Sequence, residues 1–204
     1  MAASEEARVN ARPTRLWTSA AVWTLGLVLA AAAASLLPEP FVLGREALAQ
    51  GEVWRLWTGH LVHHTTWHFV LDVGAGAILL LFVRSRMAAL LLPPVVGLGV
   101  LALRPDLGTY AGLSGVLHGW TVLAAVDLAK TTRGLERWAA AGLLVGVIAK
   151  ALFEGLTTSS VFTSTIAMGG ETVYAAHLVG VLGGLVLAAL SALSFGRAPE
   201  PALR

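Results

Sequence analysis

The chain of 204 residues contains no cysteine. Disulfides, thiolate metal sites and cysteine nucleophiles are thereby excluded, and with them one branch of the hydrolases, while the redox compartment stays open. Charge is also scarce. Asp, Glu, Lys and Arg make up 13% of the residues against 56% hydrophobic, and the mean hydropathy is +0.75. That is too little polar surface to cover a soluble globule of this size, so a bilayer is the natural solvent. The net charge of +2 comes from a few arginines at the ends of apolar runs, not from a basic patch interleaved with aromatics, which argues against nucleic acid as a partner. Apart from the alanines of Ala30 to Ala34 there is no low-complexity tract, and no long internal repeat. The two matching halves expected of a transporter built from discontinuous helices are therefore missing.

What the chain does have is apolar runs. The first, Leu16 to Leu37, follows Arg8, Arg12 and Arg15 and is closed by Pro38 and Pro40. Its length, about 20 residues for ~30 Å of hydrocarbon, exceeds a signal-peptide core, and Leu36-Leu37-Pro38 is a poor small-residue cleavage site, so it reads as a retained anchor. Five more segments follow: Trp67 to Val83, Met87 to Leu103, Ser114 to Ala129, Trp138 to Leu156 and Thr172 to Phe195. The expected fold is an all-α membrane domain of six spans over residues 16–195, with tails at 1–15 and 196–204. Pro93 and Pro94 interrupt the third span, which is tolerable only where neighbours satisfy the freed carbonyls. Alternating the spans puts Arg8, Arg12, Arg15, Arg84, Arg86, Lys130, Arg133, Arg137, Arg197 and Arg204 on one side and Arg45, Arg55 and Arg104 on the other, which predicts cytoplasmic termini.

Three polar clusters sit in or beside these runs, where such groups must be paired, hydrated or functional. In the first, Gly112-Leu113-Ser114-Gly115, a serine opens the fourth span between glycines. Gly112 permits a tight entry, Gly115 leaves room for a close neighbour, and the unpaired N–H groups of a helix start can hold an oxyanion. Ser114 is then either an N-cap with packing glycines or a nucleophile. In the second cluster, Ala176-His177-Leu178-Val179-Gly180, an imidazole opens the sixth span on the same predicted side of the membrane. His177 is either an interfacial polar residue or the base that takes the serine proton. Gly180, Gly183 and Gly184, with Gly115 and Gly119, supply the small surfaces that let two spans approach.

The third cluster, His60, His63, His64 and His68 followed by Asp72, leads into the second span; His68 and Asp72 share a helical face. The fourfold repeat of His60, His64 and His68 raises zinc. Gly59 and Thr65-Thr66 break the helix such a site would need, however, and no histidine pair flanks a glutamate, so no metal or other cofactor is expected. His118 follows Ser114 by one helical turn and is a rival base. Lys150 and Glu154, also one turn apart, read as mutually neutralised toward the bundle interior or as a substrate contact. Arg55, between Trp54 and Trp57, reads as an interfacial anchor, with substrate contact as the alternative.

The order of these motifs resembles the rhomboid proteases: a histidine with a polar partner on the second span, Gly-x-Ser-Gly on the fourth, and Ala-His-x-x-Gly on the sixth. Trp54-Arg55-Leu56-Trp57-Thr58-Gly59-His60 and Gly112-Leu113-Ser114-Gly115-Val116-Leu117-His118-Gly119 resemble, more specifically, the rhombosortase subfamily, over about Gly51 to Gly184. The resemblance implies an intramembrane serine endopeptidase in a bacterial inner membrane, its site facing the extracytoplasmic side. Ser114 would be nucleophile and His177 base in a dyad without an orienting carboxylate. The Ser114 N–H and His68 would form the oxyanion hole, supported by Gly112 and Gly115. It also implies a substrate: a membrane-anchored protein with an apolar C-terminal tail that follows Gly-Gly. Many rhomboids have asparagine where this chain has Asp72, which leaves two roles open: orienting the His68 ring, or donating as a buried, protonated acid. The alternative to the enzyme is a non-catalytic protein of this fold that binds transmembrane segments.

Overall fold

A computed structural model describes residues 20–161 and 169–195; both expected tails and the start of the first span lie outside them. The chain is mostly helical. The long helices are α1 (Ala20–Leu36), α4 (Thr66–Phe82), α5 (Arg86–Leu103), α6 (Ser114–Thr131), α7 (Gly134–Thr157) and α8 (Tyr174–Phe195). Short helices α2 (Arg45–Ala49) and α3 (Arg55–Thr58) and a 3₁₀ turn at Gly59–Leu61 fill the first connection. Among the described residues, three helices are long and apolar enough to cross a membrane, Arg86–Leu103, Gly134–Thr157 and Tyr174–Leu193, or up to four if the bent pair Arg55–Leu61 and Thr66–Phe82 counts as one span. The bend of 113° in that pair sets the first histidines off the α4 axis, as Gly59 and the Thr65-Thr66 pair suggest.

The helix starts follow local chemistry. Thr65 Oγ1 accepts the His68 N–H at the head of α4, and Ser85 Oγ accepts the Ala88 N–H at the head of α5. Helix α7 begins at Gly134, ahead of the expected Trp138, and α8 begins at Tyr174, after the expected Thr172. Apolarity marks the part of a helix that lipid would cover, whereas backbone hydrogen bonding sets its ends. A two-residue antiparallel pair, β1 (Leu43–Gly44) and β2 (Thr109–Tyr110), is absent from the sequence expectation, being too short to leave a periodic signal.

Helix α5 runs unbroken through Pro93 and Pro94 because its two freed carbonyls are capped from outside. A proline removes the N–H that would bond four residues back, which orphans Ala89 O and Leu90 O. The Trp120 indole N–H donates to Ala89 O at 3.1 Å, and that of Trp57 donates to Leu90 O at 2.9 Å. At the far end Arg45 donates to the carbonyls of Leu101 and Arg104, capping the last turn.

Helix α6 is the hub. It packs against α4, α5, α7 and α8, and it carries the buried Val116, Trp120, Val122, Leu123, Ala124 and Ala125. Its closest neighbour is α8, met glycine to glycine. A Cβ on Gly180 would stand 1.9 Å from Gly115 O, and one on Gly119 would stand 2.6 Å from Gly180 O. Contact this close lets dispersion and main-chain contacts hold two helices together without a hydrophobic driving force between them. Gly183 departs from the expected surface: it faces Val95 and Leu92 of α5 rather than α6.

Candidate active site

The α6–α8 crossing brings Ser114, the first residue of α6, against His177, in the first turn of α8. Ser114 Oγ lies 3.1 Å from His177 Nε2. The pair lines a cavity of about 310 Å³ together with His68, Asp72, Tyr110, His118, Lys150 and Glu154. His177 is buried and Ser114 is half-buried, so the hydroxyl faces the cavity and the imidazole lies behind it. Gly112 has a φ of +106°, and a Cβ there would meet His68 Nε2 at 2.9 Å. Both facts make glycine necessary at the entry to α6.

Asp72 holds that entry from α4. Its Oδ2 accepts the Leu113 N–H at 2.9 Å and lies 3.3 Å from His68 Nε2 and 3.6 Å from His63 Nε2. From the other side, Gly112 N–H donates to Gly59 O at 3.3 Å, and His60 sets Nε2 2.8 Å from Pro93 O and Nδ1 3.4 Å from Gly112 O. The fourfold repeat of His60, His64 and His68 does not converge: His60 faces these carbonyls and His64 is exposed. Among the described residues, the sets close enough to share a cation are His63, His68 and Asp72, and His118, Glu154 and His177.

The expectation of a dyad with no carboxylate is corrected here. Glu154 Oε2 lies 2.7 Å from His177 Nδ1 and accepts from Lys150 Nζ at 2.7 Å, while Oε1 accepts the Val161 N–H at 3.1 Å. Spacing on α7 reveals the Lys150 partner one turn away. The His177 partner comes from packing, where Gly155 lets Leu178 of α8 sit against α7. His118, the rival base, turns Nδ1 to the Ser114 carbonyl at 2.7 Å and Nε2 to Lys150 Nζ at 3.1 Å. Its ring stacks on His177 with centroids 4.0 Å apart.

Arg55 lies away from the cavity. It donates to Glu39 O, Val42 O and Glu52 at 2.7, 2.8 and 2.5 Å, the work of a loop anchor. Tyr110, a cavity residue the motifs do not reveal, is brought in by the β1–β2 pair; burial raises its hydroxyl pKa above the ordinary tyrosine value. The Arg104 guanidinium pairs with Asp106 at 2.7 Å and with Glu171, a lining residue of the cavity, at 3.4 Å, and its hydrogen bonds hold the Asp106 carboxyl below its usual pKa. Compared with known proteins, the chain matches no family model and no curated protein.

Proposed function

We propose that the chain is an intramembrane serine endopeptidase of the rhomboid type, nearest in its motifs to the rhombosortases, with Ser114 as nucleophile and His177 as general base. The observation that carries this reading is the 3.1 Å approach of Ser114 Oγ to His177 Nε2 at the edge of a largely apolar cavity into which His68, Asp72, Lys150 and Glu154 also bring polar groups. The capping alternative is weakened by position: Leu113, not Ser114, is the N-cap of α6, and Ser114 Oγ turns to the His177 imidazole instead.

The chemistry is acyl transfer. Ser114 Oγ attacks the scissile carbonyl carbon, its proton passes to His177 Nε2, and the carbonyl π pair moves to oxygen. As the C–N bond breaks, that proton passes to the leaving nitrogen; water, deprotonated by the same imidazole, then releases the acyl group from Ser114. The free N–H groups opening α6, with the Ser114 amide foremost and His68 beside it, receive the oxyanion. Asp72 accepts the Leu113 N–H, which fits an ionised carboxylate that orients His68 better than an acid that donates.

A six-span topology with cytoplasmic termini, and a site open to the extracytoplasmic side, completes the reading. An apolar groove lined by Ala75, Leu79, Leu117, Gly142, Leu143 and Gly146 runs between α4 and α7, and shares Ala75, Leu117, His118 and Lys150 with the cavity. It is the path by which the tail of a membrane-anchored substrate, an apolar helix after Gly-Gly, would reach Ser114. Purified protein in detergent is incubated with a fluorophosphonate and, separately, with an anchored substrate bearing such a tail. Ser114-dependent labelling with cleavage beside the tail is expected. Capture of the tail with labelling that is absent, or equal in Ser114→Ala, would replace the enzyme with a binding protein of this fold.

A further inference from the structure

The groups behind the base form a closed circuit whose protons can be placed from its three members that only donate or only accept. The Ser114 carbonyl is an acceptor only, so His118 Nδ1, 2.7 Å away, carries a hydrogen. The Lys150 ammonium is a donor only, so His118 Nε2, 3.1 Å away, presents its lone pair and His118 is neutral. Lys150 also donates to Glu154, whose Oε2 lies 2.7 Å from His177 Nδ1. An ionised carboxylate is an acceptor only, so His177 Nδ1 carries a hydrogen and Nε2 is left to accept from Ser114 Oγ. The circuit begins and ends on the same residue, leaving at its carbonyl and returning at its hydroxyl.

We propose, resting on the protease reading, that Glu154 is the positioning residue that keeps His177 in the one tautomer able to take the Ser114 proton, and that Lys150 and His118 hold Glu154 in turn. Four observations converge on this role. Glu154 is 1% exposed, although a charged side chain is kept from water only where it is fully paired. Its two oxygens take three donors, from Lys150, His177 and the Val161 amide, so its orientation is over-determined. The stacked His118 ring closes one face of His177, which restrains the imidazole from rotating out of line. The Lys150–Glu154 pair is neutral before the reaction, so the proton arriving on His177 makes its positive charge beside a carboxylate already in place. Throughout, that proton shuttles between Ser114 Oγ, His177 Nε2 and the leaving nitrogen, and Glu154 stays ionised.

The test pairs Glu154→Gln and Glu154→Asp with a tautomer measurement on wild type. In Glu154→Gln the amide NH₂ can turn toward Nδ1 and favour the tautomer with hydrogen on Nε2. Fluorophosphonate labelling should then slow on the order of 10⁴-fold, the effect of swapping the carboxylate of a Ser-His-Asp site for its amide. Glu154→Asp, which keeps the charge, should recover at least a tenth of the rate. Labelling by Glu154→Gln within about threefold of wild type overturns the proposal while leaving the protease reading intact. The second measurement stands even if a variant does not fold: proton NMR of histidine-¹⁵N-labelled full-length protein in micelles. An imidazole N–H resonance far downfield of the amides, lost in His177→Gln, is expected; its absence at low temperature in folded wild type overturns the proposal. Wild type that shows the resonance but is never labelled at Ser114 ends the protease reading and not the tautomer assignment.

Discussion

Placing one methyl group at the α6–α8 crossing tests whether glycine packing sets the distance between Ser114 and His177. In Gly180→Ala the new Cβ would stand 1.9 Å from Gly115 O, whereas real Cβ atoms essentially never come under 3.0 Å, so the helices must part by about 1.1 Å there. The obstacle is backbone, which cannot swing aside like the end of a side chain. Ser114 adjoins Gly115, and His177 lies one turn before Gly180, so most of that opening passes to the pair now 3.1 Å apart. The separation becomes roughly 4.2 Å, beyond hydrogen-bond range, and a misplacement of about 1 Å costs on the order of 10²-fold in rate. Stability moves less, because overpacking costs about 1–3 kcal/mol while alanine in a helix returns about 1 kcal/mol relative to glycine. Labelling rate and thermal unfolding are measured on the same detergent-purified sample, with Gly74→Ala as control, since a Cβ there meets nothing within 4 Å. A Gly180→Ala protein that labels at the wild-type rate would show that the crossing does not set the Ser114–His177 distance.

Three other pairs of substitutions probe separate links. Trp120→Phe leaves Ala89 O without its buried donor and should lower stability by about 1–3 kcal/mol in a denaturation titration, whereas Trp57→Phe, at a more exposed site, should lower it less. Asp72→Ala removes the acceptor of the Leu113 N–H and should slow labelling as well as destabilise; Asp72→Asn, which keeps an acceptor oxygen, should recover most of the stability, and equal melting points for the two would refute the tie. His177→Ala should abolish labelling and His118→Ala should only slow it, because both His118 nitrogens are engaged away from Oγ; the opposite ranking would exchange their roles.

The reach of sequence reading differs from residue to residue. Ser114 stands out because a serine between glycines at the head of an apolar run is a local anomaly, and Asp72 and His177 are costly in a membrane wherever they face. Lys150 with Glu154 is a local pattern too, since both lie on one helical face. That Glu154 also holds His177, 23 residues on, is not written in any spacing, because it depends on how closely α7 and α8 pack. Tyr110 and the β1–β2 pair are hidden for the same reason, being consequences of a contact between two distant loops.

By itself, then, the sequence determines the solvent this chain prefers, the helical stretches and the polar residues that need a reason to be there, because hydropathy, helix signals and desolvation are properties of short segments. The tertiary structure alone decides which of those residues meet. Indoles close the gaps left by Pro93 and Pro94, Gly115 and Gly180 draw a hydroxyl to an imidazole, and a carboxylate from a third helix meets the imidazole's other nitrogen. Each of these turns on differences of a few tenths of an ångström in the distance between groups far apart in the chain, which packing sets and composition does not.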